Sequence, residues 1–266
     1  MVFAVLTTLA ALQHVVWEPA RPIQGSLIVV SAPDGAIGLL AGEPLYFVNG
    51  RTFAAVPLSA KDSLALEVLT QHEGVIARDV RWVPIAAREV PGKAEHIQAA
   101  ERFTPPPDSA LLARINRERG RMLEAARAAH EVPRLWATGF TRPRTARITS
   151  PFGAGREVNG VWRSTHSGMD IAGRKGDPVR VSNRGVVALT GNFFYGGTSI
   201  YIQHGLGLMT VYHHLSRVLV TVGDTVARGQ VIGLVGATGR VTGPHLHWGA
   251  QYGSISFDPA DLLTLP

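Results

Sequence analysis

The chain contains no cysteine in its 266 residues. That excludes disulfide scaffolds, thiolate metal sites, iron–sulfur clusters and cysteine nucleophiles, while leaving the redox compartment open. Charge is also sparse, at 17% of residues, and of the 26 basic side chains only Lys61, Lys93 and Lys175 are lysines. No apolar run approaches the roughly 20 residues that cross a bilayer, so no integral membrane segment is expected. Four catalytic signatures are missing too: the Gly-x-Ser-x-Gly elbow, the Walker loop, a Gly-x-Gly-x-x-Gly after a strand and the His-Glu-x-x-His helix. Without the last, no neighbouring glutamate offers itself as the usual general base.

What is present is unevenly distributed. Residues 1–139 hold 14 basic and 14 acidic side chains, whereas residues 140–266 hold 12 and 6, so the whole formal charge of +6 belongs to the second half. A basic domain favours anionic partners such as nucleic acid, anionic lipid or a carboxylate-rich polymer. The basic residues do not gather into the run that marks a nucleic-acid tail, and no nucleic-acid partner is expected.

The pattern reads in parts. Residues 2–12 are apolar and too short to span a membrane, and residues 1–20 read as a signal or a disordered segment. Residues 21–92 read as a small immunoglobulin-like β-sandwich without helices, with short apolar strands at 26–30, 36–40, 45–48, 52–58, 63–70 and 75–85. Asn49-Gly50 suits a two-residue hairpin turn, because both positions accept positive φ. Residues 93–139 read as a linker whose helix spans about 108–130. Pro105-Pro106-Pro107 precedes it, Asp108 or Ser109 caps it, and Leu111, Ile115, Met122 and Ala126 recur at helical spacing. Residues 140–266 are Gly-rich β-structure with an internal echo: Gly176-Asp177-Pro178-Val179 and Gly223-Asp224-Thr225-Val226 each lead into a Gly-started strand, suggesting a duplicated half-barrel. The expected class is therefore mainly β.

Six of the ten histidines lie between positions 166 and 247. The other four, His14, His72, His96 and His130, have no partner motif and read as surface or structural residues. Strand alternation places His214 with Thr210 and Tyr212 on a polar face, and His213 with the apolar set. It puts His245 and His247 side by side opposite Leu246, Trp248 and Ala250, and His204 among core residues with Ile200 and Ile202. His166 and Asp170 add an imidazole and a carboxylate four apart. Catalytic zinc takes three protein ligands and keeps a position for water, which such a set could supply. A closed structural zinc site, or no metal, fits the same residues.

Four segments resemble the lysostaphin-like zinc metallopeptidases that cut peptide bonds in bacterial peptidoglycan. They are Thr149-Ser150-Pro151-Phe152-Gly153, the run from His166-Ser167-Gly168-Met169-Asp170 to Ala172, Tyr212-His213-His214-Leu215-Ser216, and the run from Thr238-Gly239-Arg240 through Gly243-Pro244-His245-Leu246-His247-Trp248. The resemblance implies that His166, Asp170 and His247 hold Zn2+, that His214 and His245 are the catalytic pair, and that the domain is a duplicated β-barrel/sandwich hybrid. It also implies a peptidoglycan substrate, a periplasmic or secreted location and room for wall-associated protein partners. Some family members are non-catalytic amidase activators with replaced ligands; here all five positions are intact. Ala154-Gly155 before Arg156 departs from the usual Phe-Gly-x-Arg pattern. Phe193, Phe194 and Tyr195 are expected to wall the substrate groove, with Tyr195 the candidate substrate contact.

Overall fold

A computed structural model describes residues 15–72, 74–90, 94–160 and 162–265. The apolar stretch at 2–12 and His14 lie outside the described residues. The chain divides into two compact units, Met1–Arg88 and Glu89–Pro266. Both are mainly β, and among the described residues one α-helix is present.

Among its described residues the first unit has seven strands: β1 (Val16–Glu18), β2 (Leu27–Ser31), β3 (Ile37–Leu40), β4 (Glu43–Tyr46), β5 (Arg51–Ala55), β6 (Ser63–His72) and β7 (Val75–Pro84). They form two sheets, in the orders β1-β2-β5 and β4-β3-β6-β7. Strand β1 lies ahead of residue 21, where the sandwich was expected to begin, and it pairs antiparallel with β2. Alternation explains the core: Ile28 and Val30 on β2 and Leu66 and Val68 on β6 are buried, while Val29, Glu67 and Leu69 are partly exposed. Asn49 and Gly50 take φ of 52° and 72°. Val48 and Arg51 exchange backbone hydrogen bonds across them at 3.0 and 3.2 Å. The turn joins strands that continue into different sheets.

The second unit contains β8 (Glu95–Ile97), helix α1 (Ser109–His130) and twelve further strands. These are β9 (Ile148–Ser150), β10 (Gly155–Val158), β11 (Trp162–Thr165), β12 (Met169–Ala172), β13 (Pro178–Arg180) and β14 (Gly185–Phe193). After them come β15 (Gly197–Gly205), β16 (Leu208–Val218), β17 (Thr225–Val226), β18 (Val231–Val235), β19 (His245–Tyr252) and β20 (Ile255–Phe257). The spine of the large sheet runs β17-β14-β15-β16-β19-β12-β9. The segment expected as linker contributes more than a helix, since β8 pairs in parallel with β10. Asp108 caps α1 by accepting from Leu111 N at 2.8 Å. Ala126 and Ala129 of α1 pack with Leu189, Phe193, Tyr201, Met209 and Val211 of the sheet. Phe193, expected to wall a groove, is instead core, and Phe194 packs on Phe103 with ring centroids 4.9 Å apart.

The internal echo is a repeated turn. Gly176 and Gly223 both take φ of 93°. Asp177 accepts from Arg174 N, and Asp224 from Thr221 N, each at 2.8 Å. The strands that follow cross over: β13 pairs with β18, and β17 pairs with β14.

Candidate metal centre

Strand β19 positions the site because it lies between the two strands that carry the other groups. On one side β12 pairs antiparallel and sets Asp170 opposite His247. On the other β16 sets His213 opposite His247. His166 enters from the loop before β12, anchored by backbone bonds with Ala154 O and Gly153 N, each at 2.8 Å. Gly168 is required here, since a Cβ on it would lie 2.5 Å from His247 Nε2.

His166, Asp170 and His247 converge. His166 Nε2 lies 3.0 Å from His247 Nδ1 and 3.1 Å from Asp170 Oδ1, and His247 Nδ1 lies 3.0 Å from the same oxygen. All three residues are buried. Donors about 2.0 Å from a tetrahedral zinc stand about 3.3 Å apart, so this two-imidazole, one-carboxylate triangle fits such an ion in donor type and spacing. His166 Nδ1 lies 2.9 Å from Pro151 O. A carbonyl only accepts, so Nδ1 carries the proton and Nε2 presents a lone pair to the cluster.

The other two expected residues stand beside the triangle. His245 Nδ1 donates to Gly243 O, and His214 Nδ1 to Thr238 O, each at 2.9 Å. Both rings thus turn Nε2 inward, and His245 Nε2 lies 3.7 Å from Asp170 Oδ1. The two rings are 5.0 Å apart between centroids. His214 reaches the site by a route that alternation does not predict. Its φ is 64°, and the β15–β16 register slips between Thr198↔Leu215 and Ile200↔Tyr212. This bulge resets the pleat, a common device next to functional sites. Thr210 and Tyr212 do not accompany His214; they are fully buried elsewhere. His213, expected with the apolar set, stacks on His247 at 5.1 Å and bonds Ser199 Oγ at 2.7 Å.

The electrostatics follow from burial and proximity. Burial alone would raise the Asp170 carboxyl, but its contacts with the His166 and His247 imidazoles hold it well below the usual carboxylate range. Burial pushes His247 down to about 4, against the opposing hydrogen bond and charge of Asp170. Burial first, and then neighbouring imidazoles, holds His213 and His214 well below the usual histidine range.

Three supporting residues were not among the expected site residues. Arg156 donates to Asp170 Oδ2 and, at 3.0 Å, to Glu95 Oε2. Ser150 Oγ lies 2.8 Å from Glu95 Oε2 and 3.0 Å from His166 Nδ1. Ser150 stands in one of the four resembling segments; Glu95 carried no signal, because its strand is far away in sequence. The site opens into a cleft of about 790 Å³ that includes Asp170, His214 and His245. An adjoining recess of about 200 Å³ includes His166, His213, His247 and Tyr195.

A mainly β domain with a His-Asp-His triangle and two flanking imidazoles is the arrangement of a metallopeptidase. Residues 164–259 match peptidase family M23, and the chain carries a domain of that family. Over 104 residues it is 55% identical to the peptidoglycan DD-endopeptidase ShyA of Vibrio cholerae, covering 38% of this chain and 24% of that protein. Over 117 residues it is 41% identical to the DD-carboxypeptidase/endopeptidase Mpg of Neisseria meningitidis, covering 44% and 27%. The chain thus spans about a quarter of the length of these curated relatives. A crystal structure of a putative M23 peptidase from Pseudomonas aeruginosa shares the fold, with a TM-score of 0.69, 27% identity, and coverage of 91% of this chain and 95% of that one. Family and donor set together imply a metal.

Proposed function

We propose that the chain is a zinc-dependent endopeptidase hydrolysing peptide bonds in the stem or cross-link peptides of bacterial peptidoglycan. One observation carries this reading: a three-donor triangle stands beside two imidazoles, His214 and His245, whose Nδ1 atoms are tied to carbonyls. His166, Asp170 and His247 would hold zinc. When bound, zinc supplies Lewis acidity toward the scissile carbonyl and a water acidified to a pKa of about 7. His214 and His245 would turn Nε2 to the attacking water and the scissile bond. One would take the water's proton as its oxygen bonds the carbonyl carbon, and the other, once protonated at Nε2, would stabilise the oxyanion or protonate the amine as the C–N bond breaks. Tyr195, 40% exposed beside the recess, is proposed to contact substrate.

The relatives' names support peptidoglycan as the substrate, and that substrate would place the chain in the periplasm or outside the cell. No helix among the described residues is long and apolar enough to cross a membrane. We also propose that the two sheets of the first unit form an immunoglobulin-like sandwich, and that residues 140–266 are a duplicated hybrid. The matched Asp turns and the crossed β13–β18 and β17–β14 pairings support the duplication.

The test is release of new amines from purified peptidoglycan by the full chain with zinc. Release is expected for the wild type and not for Asp170→Ala. A zinc-loaded wild type that releases nothing would replace this reading with the wall-binding or amidase-activating one.

A further inference from the structure

The cleft beside the metal centre is lined by five arginines, which differ in what they touch. Arg144 donates to Asp177 Oδ2 at 2.8 Å, and Arg156 is held by Glu95 and Asp170. No carboxylate among the described residues pairs with Arg147 or Arg240. Arg147 is exposed on the cleft rim. Arg240 is half-buried and borders both the cleft with His214 and His245 and the recess with His166 and His247.

Arg240 is also held in place. Its backbone N donates to Tyr195 O at 2.9 Å, and its guanidinium lies over the Tyr195 ring, 4.7 Å from the centroid. A close backbone approach fixes the turn beneath it: a Cβ on Gly239 would lie 2.4 Å from Gly197 N. Burial and the nearby Arg156 charge both disfavour the cation. A desolvated, pre-oriented guanidinium with no anion of its own is costly unless an anion arrives, and its planar fork matches a carboxylate.

We infer that Arg240, seated on Tyr195 and assisted by Arg147, is a specificity-determining residue that binds a free carboxylate of the substrate peptide near the scissile bond. This rests on the endopeptidase reading and narrows it to acidic peptides. The ligand class is a peptide carboxylate, and an amide at the same position would lose the charge and one acceptor oxygen. Tyr195 then acts as the platform that holds the guanidinium flat.

The experiment compares a soluble cross-linked stem-peptide dimer with the same dimer amidated at its free carboxylates. Binding to the full, zinc-loaded chain is measured by calorimetry, and cleavage by amine release. Amidation is expected to weaken wild-type binding about tenfold or more, the scale of a lost charge-assisted pair. Arg240→Gln should bind the acid dimer about tenfold more weakly and the amidated dimer within about twofold of wild type, collapsing the discrimination. Arg240→Lys should recover part of it, and zinc content should be the same in all three chains. Equal wild-type binding of both dimers, or equal weakening of both by Arg240→Gln, would overturn the inference. Cleavage of neither dimer by a wild type that still binds the acid form better would overturn the endopeptidase reading alone.

Discussion

Two histidine clusters lie on the same large sheet and differ in one respect. In the first, His204 Nδ1 donates to Arg184 O at 2.8 Å, and its Nε2 lies 2.8 Å from Thr210 Oγ1. Thr210 in turn meets the Tyr212 hydroxyl at 2.9 Å, which is 3.0 Å from Ser182 Oγ. All four side chains have no exposed surface, and each polar group finds another within the protein. In the second, three donors converge on one point and the Nε2 atoms of His214 and His245 face a cleft. Closure makes a buried polar network a source of stability; leaving lone pairs unanswered makes one available for chemistry. Both depend on β16, which supplies Thr210 and Tyr212 before its bulge and His214 within it.

The comparison breaks most severely at Asp170. Asp170→Ala should lose stoichiometric zinc by elemental analysis and all measurable amine release, while the first cluster keeps the sheet folded. Retained zinc would contradict the donor assignment. His245→Ala should be milder, keeping its zinc while amine release falls on the order of 10²- to 10⁴-fold, the range for a lost general acid or base. Digestion at the wild-type rate would remove His245 from the mechanism.

Changes in the closed cluster should move stability instead. Thr210→Val leaves His204 Nε2 buried without its partner and should cost about 1–3 kcal/mol by denaturant unfolding, with zinc content unchanged. The smallest effect is a pH slope. Burial lowers His204 from 6.5 to about 4, so below pH 6.5 the unfolded chain binds a proton that the folded one refuses. Stability is therefore full above that pH and declines as pH falls toward 4, with His204 contributing a loss of about 2 kcal/mol by pH 5. His204→Asn should show a shallower decline over that span; parallel curves would contradict the assignment.

Much of this was legible in the sequence where local chemistry decides the structure. Asn49-Gly50 announced its turn, and Asp108 or Ser109 the helix cap, because each depends on a few adjacent residues. His245 and His247 could be placed on one face because β19 keeps its pleat through them. The same rule failed at His213 and His214, because a bulge depends on pairing with β15, which the residues themselves do not record. Glu95 was invisible for a related reason. Its strand joins β10 across about 60 intervening residues, and only that long-range pairing brings its carboxylate to Arg156 and Ser150.

The proposed division of labour among five side chains has three holding the ion and two staying off it. Zinc-edge X-ray absorption on the full chain counts those ligands directly. One zinc bound by two imidazoles and one carboxylate is expected, with a spectrum unchanged in His214→Ala and His245→Ala. A third or fourth imidazole in the wild type, lost in either variant, would contradict it.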